Sequence, residues 1–275
     1  MKIIGKIVVL LCAGVLLFFT SDFPDFGDAN SPASIHLSPY FIENTIADTA
    51  VPNVVTSVLA DYRGYDTMFE TTVILTAGLA CFLLLRILNV AEVKQRHYLH
   101  EPTGMTIRIE GDKDLKKSDA FKRIDSIWVP DSLILNFVCR LLIPFIQIFA
   151  LYVVAHGHYS PGGGFQGGVI LAASVILFAM SGNLRSAINK FGEKTAALFG
   201  VIGVFIYAGT AALCMVLGEN FINYSALAPL LHSDRIMARS HGIFIVEVGV
   251  AVAVMAVMIW IYYNLSSDGK QDEGL

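Results

Sequence analysis

Long apolar runs separated by short polar gaps dominate the chain. Six of them, near 3–20, 68–90, 132–155, 164–182, 195–217 and 241–263, are long enough, or nearly so, to cross about 30 Å of hydrocarbon as helices. The pattern predicts an all-α integral membrane fold with about six transmembrane helices, two in a first block and four in a second. The first run follows Lys2 and Lys6 and reads IVVLLCAGVLLFF, which also fits the apolar core of a secretory signal peptide. The run ends in FFTSDF with no small-x-small cleavage site, so an uncleaved first span is expected.

Composition supports a membrane class: 55% of the 275 residues are hydrophobic and only 15% charged. Soluble domains sit near 45–50% apolar and about 25% charged. The net charge of −4 says little about partners; the placement of positive charge says more. The N-terminus, 86–131, 183–194 and the tail hold 15 of the 19 Lys and Arg residues. The intervening loops hold three, Arg63, Arg235 and Arg239, while Arg140 lies inside the third run. The positive-inside rule then places both termini in the cytoplasm. Cys12, Cys81, Cys139 and Cys214 all fall within the runs without a CxxC pair, and read as small apolar packing residues.

The expected organisation is a two-span unit at 1–95 with an outer loop at 21–67, a cytoplasmic linker at 96–131, a four-span unit at 132–265 and a polar tail at 266–275. Within the outer loop, FIENTIADTAVPNVVTSVLADYRGYD suits an interfacial helix broken near Pro52. Six acids (Asp22, Asp25, Asp28, Glu43, Asp48 and Asp61) precede the loop's first basic residue, Arg63. They read either as a solvated surface or as a vestibule that concentrates cations. The linker contains an alternating piece, MTIRIEG, that suits a small strand, and ends at Trp128 and Pro130, an interfacial lead into the third span.

The stretch AHGHYSPGGGFQGGVIL, 155–171, is the densest motif. Gly162, Gly164 and Gly167 fit GxGxxG, but a nucleotide turn needs a preceding strand and an acid about twenty residues on, and neither context is present. The structural reading is stronger. Pro161 and Gly162–Gly164 permit a tight reversal. Gly163 with Gly167, and Gly164 with Gly168, repeat the small-xxx-small spacing that lets helices approach closely in lipid. His156 and His158 are two residues apart, so on a helix they diverge, and two histidines alone do not complete a metal site. They read as caps of a span or as members of a proton relay. No metal, nucleotide or other cofactor is expected, and no nucleic-acid partner.

Ionisable groups inside spans are costly and mark candidate function. Glu70 opens the second span, Arg140 lies about eight residues into the third near Pro144, and Glu247 lies about six residues into the last. Either the carboxylates exchange protons or cations, or one of them pairs with Arg140 as a structural ion pair.

At these residues a resemblance emerges. HGHYSPGGGFQGGVILAASVILF, preceded by NFVCRLLIPFIQIFALYVV, closely resembles the MnhB/MrpB family of Mrp-type cation/proton antiporter subunits, over about 132–263. NVVTSVLADYRGYDTMFETTVIL resembles an MbhE-like segment, over about 1–95; its pattern falls on Asn53, Asp61, Arg63, Gly64, Asp66, Thr67 and Glu70. One departure is FIVEVGV around Glu247, where Mrp B proteins tend towards FDxGV; this is nearer to the hydrogenase-type relatives. The resemblance implies a non-catalytic component of an inner-membrane assembly exchanging Na⁺, or another monovalent cation, for H⁺. Its partners would be other Mrp-type subunits or hydrogenase-like redox subunits, in contact with membrane lipid. Glu70, Glu247, Asp66, Arg140, His156 and His158 are the candidates for the ion or proton path. A structural scaffold, and a metalloenzyme built on the two histidines and a carboxylate, are the competing readings.

Overall fold

A computed structural model describes residues 2–87, 95–100, 102–110, 120–124, 133–182, 184–267 and 269. Trp128 and Pro130, most of the charged run after 111 and most of the tail lie outside the described residues. Two compact units are present, Met1–Thr45 and Ile46–Leu275. The division falls within the stretch that the sequence reading groups as 1–95.

The first unit contains α1 (Lys2–Phe19), a 3₁₀ turn at Thr20–Asp22, a π-helical segment at Ala33–Leu37 and most of α2 (Ser38–Thr49). The apolar window of α1 has 0% of its residues buried within the chain.

In the second unit the chain turns at Ala50–Asn53, where Ala50 takes φ 54° ahead of Pro52. Asn53 then caps α3 (Val54–Ser57) by accepting a hydrogen bond from the Val55 amide at 3.1 Å. A π-helical segment, Val58–Tyr62, leads into α4 (Gly64–Ile87), the second span. Three short strands follow: β1 (Gln95–His100), β2 (Met105–Glu110) and β3 (Phe121–Ile124). They form an antiparallel sheet in the order β2-β1-β3, with His100 opposite Met105 and His97 opposite Ile124. The linker thus adds a small sheet to an otherwise helical fold, and the alternating MTIRIE lies on its β2 edge.

The remaining elements are α5 (Leu133–Ala155), which runs through Pro144, α6 (Gly164–Ser181), the short α7 (Leu184–Lys190), α8 (Glu193–Val216), the one-turn α9 (Ala228–Leu231) and α10 (Arg235–Ser266). Among the described residues six helices are long and apolar enough to cross a membrane, and the chain is a multi-pass membrane protein. The last begins at Arg235, not near 241. Asp234 caps it by accepting from the Met237 amide at 3.4 Å, so the polar turn RIMARSH joins the helix. The long α10 is the axis of the unit: it packs against α4, α6 and α8, and 67% of its window is buried. Small residues along it, including Gly242, Gly249, Ala251, Ala253 and Ala256, bring neighbouring backbones close. A helix covered by neighbours over most of its length needs little polar face.

A candidate ion site between the glycine loop and the last helix

The loop between α5 and α6 is held from the N-terminal side of the chain. The Asn53 side-chain amide donates to the carbonyls of Gly157, at 2.7 Å, and Ser160, at 3.0 Å. Its backbone N–H donates to the His158 carbonyl at 2.9 Å, and the Thr56 hydroxyl donates to the Gly157 carbonyl at 2.8 Å. A loop rich in glycine would otherwise leave these carbonyls without partners, at a cost of about 1–3 kcal/mol each when buried. The clamp fixes where the loop backbone lies.

That backbone wraps Glu247. Gly163 takes φ +138°, and a Cβ there would sit 2.9 Å from Glu247 Oε1; a Cβ on Gly164 would strike the Glu247 carbonyl. Glycine is required because the carboxylate occupies the space. Gly168 faces Ala251 of α10, whereas Gly167 faces Ala150 and Val154 of α5. Gly164 and Gly168 therefore both serve the contact with α10, while the Gly163–Gly167 pair is divided between Glu247 of α10 and the α5 contact.

Glu247 is buried, with 8% of its surface exposed. It faces a cavity of about 240 Å³ lined also by Glu70, Thr56, Thr67, Gln166, Tyr207 and the Gly162–Gly164 backbone. Glu70 is exposed at the α4 side of this cavity and forms no ion pair among the described residues. His158 stands behind Glu247: its Nδ1 is 3.9 Å from Oε2, and its Nε2 donates to the Ser240 carbonyl at 3.0 Å. Neither Nδ1 nor Oε2 has a hydrogen-bond partner among the described residues. Among those residues, no Lys or Arg lines the cavity.

The other candidates are dispersed. His156 is exposed, stacked on Tyr152 at 3.9 Å and bonded through Nδ1 to the Tyr152 carbonyl, so it caps α5. Asp66 is exposed and paired with Arg63 at 2.5 Å. Arg140 is exposed on α5, with no ion pair among the described residues. This overturns a pairing of Arg140 with Glu70 or Glu247, because α5 packs on α6 and turns Arg140 outward.

One feature escaped the sequence. Asp61 and Arg239, 178 residues apart, form a short ion pair with 4% and 26% side-chain exposure. The pair lines a second cavity of about 290 Å³ with Tyr62, Gly64, Tyr65, Phe221, Ile222 and Asn223. Burial pushes the Asp61 carboxyl up from its ordinary range, against the opposing pull of Arg239. Between the two cavities the Tyr207 hydroxyl donates to the Gly64 carbonyl at 2.8 Å. The only sequence signal was the position of Asp61 in ADYRGYD.

A helical membrane unit with a cavity of about 240 Å³, two carboxylates and no Lys or Arg on its described wall has the attributes of an ion-handling protein. Known proteins sharpen this. Residues 134–260 match the family model described as a domain related to the MnhB subunit of Na⁺/H⁺ antiporter, and 26–96 match the MbhE model, which describes a component of MBH. The chain therefore carries an MnhB-related domain and an MbhE segment in one polypeptide.

An uncharacterised protein of Methanocaldococcus jannaschii is 27% identical over 64% of this chain and 65% of its own length. A Rhizobium meliloti protein, described as the probable A/B component of a K⁺/H⁺ antiporter, is 28% identical over 54% of this chain and only 14% of its own length. A Staphylococcus aureus protein assigned as antiporter subunit mnhB2 is 26% identical over 50% of this chain and 95% of its own length. The fold is similar to a chain of the Mrp complex from Dietzia sp. DQ12-45-1b (TM-score 0.55, 24% identity, 98% of this chain and 26% of that one). It is also similar to a chain of the membrane-bound sulfane sulfur reductase, an archaeal respiratory membrane complex (TM-score 0.57, 21% identity, 96% of this chain and 97% of that one).

Proposed function

We propose that this chain is a non-catalytic subunit of a multi-subunit Mrp-type monovalent cation/H⁺ antiport module in the cytoplasmic membrane, and that the Glu70–Glu247 cavity is part of its ion path. The observation that carries this reading is a buried carboxylate facing a cavity without a basic residue on its described wall. A carboxylate in that position requires a mobile cation or proton to offset its charge. Na⁺ is the first candidate cation because the matching domain description names it. In this reading both termini lie in the cytoplasm, as the Lys and Arg distribution requires. The test is ion flux in vesicles holding the whole complex. Glu70→Gln and Glu247→Gln keep size and hydrogen bonding while removing the titratable charge, so both complexes should assemble and lose coupled exchange. Full exchange by both variants across pH 6 to 9 would sink the reading.

A second host has a specific observation in its favour. The match to the sulfane sulfur reductase complex runs nearly end to end on both chains, whereas the Mrp chain extends far beyond the matched part. A respiratory complex in which redox subunits drive the same antiport module fits that architecture. Extraction in mild detergent distinguishes the two: co-purification of iron–sulfur subunits favours the respiratory host, and antiporter chains alone favour the free-standing one.

A further inference from the structure

We infer that Glu247 and His158 together hold the exchangeable proton of this site, while Glu70 is the carboxylate that meets the metal cation. The assignment rests on the ion-path reading above and divides its labour.

The tautomer of His158 follows from its partner. A carbonyl oxygen only accepts, so the contact with Ser240 requires hydrogen on Nε2. The neutral ring then turns its Nδ1 lone pair towards Glu247 Oε2, 3.9 Å away. Both atoms are buried and otherwise unpartnered among the described residues. Two facing acceptors are unfavourable, and one proton between them satisfies both. It sits on Oε2 and donates to Nδ1. A movement of about 1 Å brings the two atoms to hydrogen-bond distance. The edge of the Phe244 ring lies against the imidazole, with centroids 5.9 Å apart. Gly157 and Gly163 close the backbone over the carboxylate.

Among the described residues Glu70 has no such donor. From α4 it shares the cavity with the Gln166 amide and the glycine carbonyl region, oxygen-bearing groups of the kind that hard monovalent cations accept. The titratable groups facing Glu247 are His158 from the loop, Glu70 from α4 and Tyr207 from α8. Arg239, the nearby base on α10, is engaged by Asp61. A cation arriving at Glu70 therefore finds the proton on the Glu247–His158 pair as the mobile positive charge in the same low-dielectric space. Repulsion between them makes the two occupancies mutually exclusive, which is the elementary step of exchange.

The test uses the purified complex and infrared difference spectra recorded as pH is stepped. A protonated-carboxyl band should be present in the unmodified complex, absent in Glu247→Gln and moved in frequency or midpoint by His158→Gln, whose amide can still donate to the Ser240 carbonyl. Glu247→Asp should keep the band at a changed frequency, which tests the assignment even if the Gln variant fails to assemble. Adding Na⁺ should release about one proton per chain to a pH dye, and Glu70→Gln should abolish that release while leaving the band. A band that survives unchanged in Glu247→Gln or Glu247→Asp overturns the proton assignment, whatever transport does. The expected spectra combined with unimpaired exchange in both Gln variants would instead overturn the ion-path reading and leave the proton pair standing.

Discussion

Asp61 and Glu247 are both withdrawn from solvent, and the protein treats them in opposite ways. Asp61 receives a guanidinium from α10, lying over the Tyr62 ring at 5.9 Å, in a direct hydrogen-bonded pair. Glu247 receives an imidazole that stops 3.9 Å short, and a cavity. The first arrangement supplies its own positive charge and is a fixed joint between the Val58–Tyr62 segment and α10. The second leaves that charge to be supplied from outside. Burial alone therefore does not distinguish the two carboxylates; the fixed guanidinium at Asp61, against a cavity at Glu247, does.

The strongest way to break this contrast is to make Asp61 resemble Glu247. Arg239→Gln strands a buried carboxylate and should destabilise the assembled protein by about 3–5 kcal/mol. Thermal unfolding of the purified complex reads this, and Asp61→Asn added to Arg239→Gln should restore most of it. The pH dependence has a definite sign. The folded Asp61 carboxyl is raised above its ordinary range, so its contribution is present at low pH and lost as pH rises through the folded value. Without Arg239 the carboxyl is raised further, so the Arg239→Gln deficit should shrink as pH falls from 8 towards 5. A deficit constant over that range would mean that Asp61 is not the stranded group.

Next in size is Gly164→Ala, which drives a methyl group into the Glu247 carbonyl and should cost about 1–3 kcal/mol while opening the loop around Glu247. The check is whether assembly yield and the carboxyl band change together. Asn53→Ala removes two donors from the loop carbonyls and should cost about 1–2 kcal/mol, read as faster proteolysis of 156–163 in the complex. The smallest effect is expected at His156, which is exposed and whose side chain meets Tyr152 of α5, through ring stacking and a bond to its carbonyl. His156→Ala should change stability by less than about 0.5 kcal/mol and leave exchange intact, in contrast to His158→Gln.

Much of the fold was legible because lipid imposes a coarse code: a span must be apolar over its whole length, and six runs were. The start of α10 was less legible. RIMARSH lacks the apolar signal, and only the cap residue Asp234 announces the helix. Glu70 and Glu247 could be singled out one by one as charges in apolar surroundings, but their shared cavity depends on α4 and α10 packing together. The pair Asp61–Arg239 was beyond reach for the same reason: nothing local links residues 178 apart. The glycines were readable as close-packing positions, yet what they pack against includes the Glu247 carboxylate, which a spacing rule cannot name. The separate fates of His156 and His158 were half visible, since spacing required divergence without saying which would turn inward.

The Asn53–Thr56 clamp joins the part of the chain matched by the MbhE model to the part matched by the MnhB model. The S. aureus relative is matched over 95% of its length by only half of this chain. Here the loop carbonyls and the side chains that hold them are one polypeptide, about 100 positions apart in sequence. Their meeting is then independent of protein concentration, and the two parts are made in equal number by translation itself. Closing a loop of that length costs only slightly more than closing one half as long, about 0.6 kcal/mol per doubling. A break in the backbone between 111 and 119 would turn the same four hydrogen bonds into a dissociable joint whose occupancy falls on dilution.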